Sequence, residues 1–332
     1  MTEFDLTKHE EIFHKPASIK EPLGWAGHIP FALFLVNLLK PDLIVELGVH
    51  TGNSYNAFCQ AVKEASLKTL CYGVDTWEGD QHAGYYEQEI YSELQQHHQL
   101  YYGAFSHLLK MTFDQALPKF SDQSIDLLHI DGCHTYEAVK HDFTSWLPKV
   151  KTGGAVMLHD ISVREGDFGV WRLWEEIKEQ HPALEFNHSN GLGIIFKNEV
   201  RSESVSAFLE EFERKSFYRT IFESLGEQPA LVMTVDQQGN QVRQLNRQLA
   251  DQAALIEEQT QKIQNQAVEL GQKNLVIEQH SQTIDNKDRH IMEQARAIEH
   301  KDRLYLELVN SSSWKLTAPL RYLGQLVRKI IK

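Results

Sequence analysis

Two apolar runs that each end in a carboxylate constrain the fold of this chain more than any other feature. One run begins at Ile125 and ends in Asp131, and the other occupies residues 154–159 and is followed by Asp160. Residues 135–146, between them, follow a helical pattern. A strand, a crossover helix and a second strand favour a parallel βαβ unit. Both acids would then lie at the carboxyl edge of the sheet, where open α/β sheets bind ligands.

The first 200 residues repeat this alternation, which predicts an α/β domain with a mostly parallel sheet and helices on both faces. The last two runs are joined by turn-forming residues 187–191 and predict a hairpin, so that one of these strands is antiparallel. We predict strands near 42–47, 70–75, 99–103, 125–131, 154–159, 184–188 and 193–197. We predict helices near 28–39, 53–65, 86–97, 135–146 and 169–180.

Charge and composition exclude several classes of protein. The net charge of −13 argues against a nucleic-acid-binding protein, because phosphate binding needs a basic surface. The three cysteines form no Cys-x-x-Cys pair, which favours a reducing compartment. The acidic start of the chain lacks the apolar region of a signal peptide, and the longest apolar stretch, residues 29–39, is too short to span a bilayer. We therefore expect a cytoplasmic protein.

A second architecture follows the α/β domain. Residues 203–226 predict one or two helices, and the stretch through Gly226, Pro229 and Gly239 predicts a linker. We therefore divide the chain into an α/β domain at 1–200, a helical extension and linker at 201–240, a coiled coil at 241–309 and a tail at 310–332.

The coiled-coil prediction rests on a seven-residue repeat. Residues 241–309 contain no proline and one glycine. The repeat consists of Val242, Leu249, Ile256, Ile263, Leu270, Ile277, Ile284, Ile291, Ile298 and Tyr305. Such a period predicts a left-handed coiled coil, roughly 100 Å long at 1.5 Å per residue, and hence a homo-oligomer. The other core position is polar or small in either register, so the number of chains stays open; a solitary solvated helix is the alternative.

The tail, residues 310–332, is basic and amphipathic. Its last 22 residues carry five basic side chains and no acid. Its apolar face comprises Trp314, Leu320, Leu323, Val327 and Ile331. This pattern suits peripheral contact with an anionic membrane surface, such as the inner membrane, or with a partner groove. Docking on its own oligomer is the alternative.

A glycine turn follows the first predicted strand and opens a helix. It places Glu46 two residues before Gly48, with Gly52 four residues later, which departs from the dinucleotide-binding fingerprint. Glycines let the backbone approach a ligand closely, and an acid in the turn suits a cationic amine better than a pyrophosphate. Asp75 ends the second strand, where a carboxylate can accept hydrogen bonds from ribose hydroxyls. Over residues 20–197 the chain resembles class I S-adenosylmethionine-dependent methyltransferases.

This resemblance implies a Rossmann-like seven-stranded sheet with an antiparallel last strand, and S-adenosyl-L-methionine as cofactor. The turn from Gly48 to Gly52 would contact the methionine part of the cofactor, and Asp75 would hold its ribose. Glu46 would support the turn or the amino group. Ser106, placed after the third predicted strand, would lie near the adenine.

Within this class, residues 128–143 resemble the branch that contains metal-dependent sugar O-methyltransferases of macrolide biosynthesis. The shared motif is Asp-Gly-x-His, which stands here as Asp131 to His134. The resemblance implies that Asp131 and Asp160 bind a divalent metal ion, and that His134 is the general base. His159 departs from the pattern because this branch has an acid there. As a metal ligand, His159 would shift the preference from magnesium toward a manganese-like ion.

The implied chemistry is methyl transfer to a sugar hydroxyl. A cation that chelates the hydroxyl would lower its pKa, and a nearby imidazole would take the proton. Trp77, two residues after Asp75, is the aromatic residue that we expect at the cofactor end of the site, where it could stack on a sugar face. Residues 79–84 are a candidate lid.

Residues 311–324 resemble a short motif of bacterial surface-polysaccharide enzymes, which often accompanies coiled coils and glycosyltransferase domains. Together, the resemblances imply an O-methyltransferase that acts on a bacterial surface glycan such as O-antigen, caps its growth and works beside glycosyltransferases. Two alternatives stay open. The domain could be a non-catalytic scaffold of a polysaccharide-assembly complex, or its acceptor could be a small molecule other than a sugar.

Overall fold

The structure is a computed structural model, and it describes residues 4–80, 84–85 and 88–330. The chain forms two compact units, Met1–Gln241 and Val242–Lys332.

A seven-stranded sheet forms the centre of the first unit. In order across the sheet, its strands are β5 (Ser106–Lys110), β2 (Leu70–Asp75), β1 (Leu43–Leu47), β6 (Ile125–Ile130), β7 (Val150–His159), β9 (Leu192–Phe196) and β8 (Ala183–Phe186). Strand β9 is antiparallel to both of its neighbours. The other neighbouring strands are parallel. The Rossmann-like sheet and its hairpin are therefore confirmed. Two further short strands, β3 (Gly79–Asp80) and β4 (Gly84–Tyr85), form a separate antiparallel pair.

Helices connect the strands and continue beyond them. They are α1 (Ile29–Leu39), α2 (Asn53–Glu64), α3 (Gln88–Tyr101), α4 (Phe113–Ala116), α5 (Tyr136–Trp146), α6 (Val170–Ile177), α7 (Glu203–Arg214), α8 (Ser216–Asn310), α9 (Ser312–Leu316) and α10 (Ala318–Ile330). Short 3-10 turns occupy Leu6–Lys8, Glu10–Phe13, Ala26–His28, Leu117–Lys119 and Leu147–Lys149. Across the described ranges, no helix has both the length and the apolar character needed to cross a membrane. The predicted long C-terminal helix is confirmed.

The strand predicted near 99–103 is wrong, because α3 covers most of this stretch and the third strand begins at Ser106. This stretch contains two tyrosines, a residue type that is common in strands. In the structure, Leu94, His98 and Tyr102 are buried at intervals of four residues, which is the spacing of one helix face.

The predicted linker is also wrong, because α8 runs without interruption through Gly226 and Pro229. Both residues are buried, and a side chain on Gly226 would meet the carbonyl oxygen of Gly27 at 2.2 Å. Contact with the amino-terminal segment thus stabilises a helix that local sequence signals would interrupt. Tertiary packing commonly overrides such propensities.

The extension after residue 200 belongs to the same core as the sheet. Helix α1 is apolar all round because α7 and the start of α8 pack against it. The Phe34 and Phe208 rings lie 4.7 Å apart, and the Phe31 and Phe222 rings 5.2 Å apart. Phe208 and Phe222 are almost completely buried. Removal of residues 203–226 would therefore expose the core of the α/β domain.

We predict that Gly226→Ala destabilises the first unit by about 1–3 kcal/mol, because the added methyl group would overlap the Gly27 backbone. Gly271→Ala is the matched control, since nothing lies within 4 Å of its added atom and alanine favours a helix by about 1 kcal/mol. Chemical denaturation of both variants measures the effects. If Gly226→Ala unfolded like the natural chain, residues 226–240 would be a free linker after all.

Candidate active site

The ends of three neighbouring strands meet at Gly48. Its amide donates to the carbonyl oxygen of Val74 (2.9 Å), and the amide of Asp131 donates to that of Leu47 (2.8 Å). Gly48 has a φ of +88°, and a Cβ atom there would lie 2.0 Å from the carbonyl oxygen of Asp131. Only glycine combines this conformation with this close approach. The predicted cofactor turn therefore lies directly against the predicted metal-binding strand end.

Asp75 holds the glycine turn through its backbone. One carboxylate oxygen accepts the amides of Val49 (2.8 Å) and His50 (2.9 Å), and the other accepts the amide of Trp77 (2.7 Å). The structure thus gives Asp75 a positioning role that the sequence analysis missed. Its predicted hydrogen bonds to ribose stay a prediction.

Trp77 is buried and braces the same turn. Its indole nitrogen donates to the carbonyl oxygen of His50 (3.0 Å), and its ring packs against Tyr91 with centroids 4.6 Å apart. These contacts place Trp77 behind the turn, where it is not exposed for stacking on a sugar. Of the predicted lid, residues 81–83 lie outside the described residues.

Glu46 lies completely buried beneath the turn. Its Oε1 accepts hydrogen bonds from the Ser54 hydroxyl and from Nδ1 of His129 (3.0 Å), whose Nε2 accepts from the indole of Trp25 (3.2 Å). Burial raises the pKa of Glu46, and the hydrogen bonds from His129 and Ser54 oppose that rise. Because Ser54 belongs to α2, Glu46 ties the first strand to the helix that the turn opens. This agrees with its predicted supporting role.

Gly52 occupies the N-cap of α2 with a φ of +87°, and a side chain there would collide with Leu94. It therefore ends the turn in the position that the sequence predicted.

Ser106 does not lie where the sequence analysis placed it. It begins β5, whereas ligands bind at the carboxyl ends of parallel strands. Its hydroxyl donates to the Tyr55 hydroxyl (3.0 Å) and accepts from Nδ1 of His98 (2.8 Å) inside the protein. The prediction that Ser106 contacts adenine is therefore wrong, as a consequence of the misplaced strand. Thr112 and Phe113, beyond the carboxyl end of β5, line the cavity beside the glycine turn.

Two acids and two imidazoles converge beside the turn. Nε2 of His134 lies 2.9 Å from Oδ2 of Asp160 and 3.7 Å from Oδ1 of Asp131. Nδ1 of His159 lies 3.3 Å from a carboxylate oxygen of each acid, and its Nε2 donates to the carbonyl oxygen of Ser189 (3.0 Å). We refer to Asp131, His134, His159 and Asp160 as the acid–imidazole cluster.

Opposite charges set the protonation of this cluster. Burial opposes ionisation of both acids, but the neighbouring histidines outweigh it, so that the pKa of Asp131 is well below its usual range and that of Asp160 falls to about 2. Burial likewise opposes the charge on His134, yet the two carboxylates raise its pKa to about 10. The pKa of His159 is raised well above its usual range by the same carboxylates. The two carboxylates therefore favour the protonated form of each imidazole.

The donor set fits a divalent cation. Ligand atoms of Asp131, His134 and Asp160 lie within 4.8 Å of one another. Two carboxylates and an imidazole suit manganese or a similar ion. His159 faces the same carboxylates, and its bond to Ser189 resembles the outer hydrogen bond that orients metal-binding histidines. His159 therefore stays a predicted ligand, and the geometry adds His134 to the candidates.

One cavity joins the turn to the cluster. It has a volume of about 220 Å³ and includes Gly48, Asp75, Asp131 and His134 in its wall. Thr112 and Phe113 line it on the side of β5. Gly48 and Asp75, two of the residues expected to bind the cofactor, thus line the same cavity as Asp131 and His134, which are expected to take part in catalysis.

The loop after β7 supplies a residue that the sequence analysis did not single out. The ring of Phe168 stacks on His134 with centroids 4.8 Å apart and planes 9° from parallel. The amide of Gly169 donates to the carbonyl oxygen of His134 (2.8 Å). These contacts fix the plane of the imidazole. No sequence signal marked Phe168, because its position depends on how the loop folds back.

Asp142, on α5, is a second residue that the sequence analysis passed over. It is buried, and its Oδ2 lies 3.6 Å from where a side chain on Gly132 would begin. Burial, with a smaller contribution from Asp114, raises the pKa of Asp142 to about 7, although His141 opposes the rise. A carboxyl group that changes charge near neutral pH therefore lies directly behind Gly132.

Residues 45–161 match the family model described as a methyltransferase domain. An uncharacterized protein of Sinorhizobium fredii, y4gI, is 44% identical over 207 residues, which are 61% of this chain and 23% of that protein. The chain thus spans about a quarter of the length of this curated relative.

Among solved structures, the SAH-bound methyltransferase PaMTH1 of Podospora anserina is 12% identical and covers 52% of this chain and 78% of its own, with a TM-score of 0.42. A methyltransferase of Geobacter sulfurreducens is also 12% identical and covers 55% and 81%, with a TM-score of 0.40. The family match lies within residues 20–197, the range over which the sequence resembles methyltransferases.

We predict that Gly48→Ala destabilises the domain by about 2 kcal/mol or more, because it combines a left-handed backbone with a backbone overlap. It should also abolish binding of S-adenosylmethionine, measured by calorimetry. Gly166→Ala is the matched control: its φ is +57° and nothing lies within 4 Å of its added atom. Equal losses of stability in both variants would show that overlap of the added methyl group with the Asp131 backbone does not contribute to the loss.

We predict that Asp142→Asn stabilises the protein at pH 8 but not near pH 4. Between about pH 4 and the folded pKa of about 7, the unfolded chain releases this proton while the folded chain keeps it, so the carboxyl group costs stability as pH rises. This loss in the free energy of unfolding reaches its full value above pH 7 and is roughly 4 kcal/mol at most. Urea unfolding of both proteins across this range measures it. A stability difference that does not change with pH would contradict the raised pKa.

Proposed function

We propose that the chain is an S-adenosylmethionine-dependent O-methyltransferase that acts on a sugar hydroxyl of a bacterial surface glycan, with a divalent cation bound at the acid–imidazole cluster. The observation that carries this proposal is the shared cavity, which has Gly48 and Asp75 on one side and Asp131 and His134 on the other. Both sides belong to the matched methyltransferase domain.

The cofactor, when bound, supplies an electrophilic methyl group on a sulfonium sulfur. The chain's own contribution is to orient the reactants, which is worth several kcal/mol when the reacting atoms are well aligned. The turn from Gly48 to Gly52 and the first amides of α2 would face the methionine part. Asp75 keeps the turn in place through three backbone amides.

Asp131, Asp160 and one of the two histidines would hold the cation, which would lower the pKa of a bound acceptor hydroxyl. His134 is the residue placed to take the proton that this hydroxyl loses. Phe168 holds its ring, and Asp160 approaches its Nε2 at 2.9 Å. The acceptor oxygen would receive the methyl group in place of that proton, and the cofactor would be released as a neutral thioether.

A sugar acceptor is supported by the resemblance of residues 128–143 to sugar O-methyltransferases, and a surface glycan by that of residues 311–324 to polysaccharide enzymes. A methyl group on the terminal hydroxyl would remove the site for the next sugar and so stop chain growth. The partly buried, preorganised cluster favours catalysis over the scaffold alternative. A scaffold would gain nothing from enclosing two ionised acids, whose burial is costly.

The exposed repeat on α8 supports a homo-oligomer. Each of its ten apolar residues, from Val242 to Tyr305, is between 55% and 65% exposed in the single chain. An apolar stripe of this length needs a covering partner. A second copy supplies one directly, because each copy carries the same stripe in the same register.

We predict that His134→Ala lowers kcat about a hundredfold or more, because it removes the base, and changes the affinity for S-adenosylmethionine less than about threefold. Exhaustive chelation of divalent ions should abolish turnover as well. The assay follows labelled methyl groups into surface polysaccharide and identifies the methylated sugar. His141→Ala, an exposed histidine on the same segment, is the matched control and should retain full activity.

Three results would contradict parts of this proposal. Full activity of His134→Ala would remove His134 as the base. Undiminished turnover after chelation would show that the reaction does not need a divalent metal ion. Cofactor binding without label in any glycan would remove the sugar acceptor but leave the methyltransferase.

We predict that Ile277→Lys combined with Ile284→Lys dissociates the oligomer, because both charges would enter its core. Analytical ultracentrifugation should show a fall to the mass of one chain. Gln279→Lys combined with Gln282→Lys adds the same charge at positions that lie outside the core in either register, and should leave the mass unchanged. A monomeric natural chain would instead support the solitary helix.

A further inference from the structure

The last helix of the chain, α10, exposes a continuous apolar face. Leu320, Leu323 and Val327 follow one another at intervals of three and four residues, which places them along one side of a helix. They are 69%, 58% and 52% exposed. Leu326 flanks them and is 42% exposed. Within the unit that contains it, this face is therefore open to a partner.

The opposite side of α10 is basic and polar. Arg321, Gln325 and Arg328 repeat at intervals of four and three residues on that side. Residues 311–332 together carry five basic side chains and no acid, although the whole chain has a net charge of −13. The positive charge is therefore concentrated at the carboxyl end of an otherwise acidic protein.

An aromatic residue lies at the start of this segment and is joined to α10. The guanidinium of Arg321 lies 3.6 Å from the centroid of the Trp314 ring. It donates to the carbonyl oxygen of Trp314 (2.6 Å) and to the Thr317 hydroxyl (2.7 Å). These bonds link α9 to α10 and hold an amphipathic indole beside the helix. Tryptophan is enriched where an apolar phase meets water.

The apolar face of α10 does not continue the repeat of the coiled coil. Counting on by sevens from Tyr305 gives Ser312, Pro319 and Leu326, so the stripe is broken by a serine and a proline. Leu320 and Val327 lie outside the core positions in either register, whereas Leu323 falls at the second core position of one of them. A second copy that covers the stripe on α8 would therefore leave Leu320 and Val327 uncovered if the coiled coil simply continued into α10.

We propose that α10, together with Trp314, binds the surface of an anionic phospholipid membrane. The apolar face would enter the boundary between headgroups and acyl chains, and Arg321 and Arg328 would lie among the headgroups. An apolar face opposite a basic one, with little overall hydrophobicity, is typical of helices that lie in this boundary. An oligomer would present several such helices at once and so bind more tightly than one chain. This inference does not depend on the acceptor or on catalysis.

Flotation of the full-length protein with lipid vesicles tests the proposal. Vesicles of phosphatidylcholine alone are compared with vesicles that also contain roughly a third of phosphatidylglycerol. We expect the protein to float with the anionic vesicles only, and to be released as salt concentration rises. Because the chain as a whole has a net negative charge, its net charge repels anionic vesicles, so that binding to them must come from a local basic segment.

Leu320→Ser combined with Leu323→Ser should weaken binding to the anionic vesicles at least about tenfold, because two side chains are lost from the membrane-facing side. Arg328→Gln should weaken it about fivefold. Gln325→Ser, on the polar side, is the matched control and should bind like the natural chain. Ultracentrifugation of each variant without vesicles should show an unchanged oligomer.

Two results would overturn the proposal. Failure of the natural chain to float with anionic vesicles would exclude a membrane as the occupant. A change in oligomeric mass for the double leucine variant, with flotation unchanged, would show that a second copy of this chain covers the face.

Discussion

The close packing of Gly48 against the backbone of Asp131 determines how the rest of the site is arranged. A strand end and a turn approach each other so closely that no side chain fits between them. The amides on either side of the contact bond to Val74 and Leu47, so β2, β1 and β6 are joined at one point. Asp75 then fixes the turn from its outer side. A cofactor bound on the turn, as we propose, would in this way lie next to the acids that follow β6 and β7.

The electrostatic balance of the acid–imidazole cluster follows from that placement. Two carboxylates enclosed at this depth need compensating positive charge. His134 and His159, whose pKa values these carboxylates raise, are the groups placed to supply it in the protein alone. A divalent cation would supply the same compensation and free an imidazole to accept a proton. Proton and cation therefore compete for the same carboxylates, which links the proposed base to the proposed metal.

Sequence reasoning predicted the parts of the structure that depend on local pattern. The alternation of apolar runs indicated the sheet and its hairpin, and strand-end residues such as Asp131, Asp160 and Gly48 were placed together because parallel strands share an edge. Failures arose where long-range packing decides. Tyr102 looked like part of a strand until the burial of Leu94 and His98 showed a helix face.

The other failures have the same physical origin. Gly226 suggested a flexible linker, but it is the point at which α8 touches the Gly27 backbone. Trp77 suggested a stacking surface, yet its indole is turned inward to hold His50. The pKa of His134 depends on two acids from different strands, and no spacing in the sequence reports that distance. Local signals thus identified which residues matter more reliably than what each one contacts.

The claim that one crevice serves both cofactor and cation can be tested by nuclear magnetic resonance. The methyl signal of S-adenosylmethionine enriched in carbon-13 at its S-methyl group would be recorded with the protein, first with magnesium and then with paramagnetic manganese. A shared crevice predicts that manganese strongly accelerates relaxation of the bound methyl group, and that Asp131→Asn removes this effect. Relaxation that is the same with both ions, although cofactor and manganese are both bound, would contradict the arrangement.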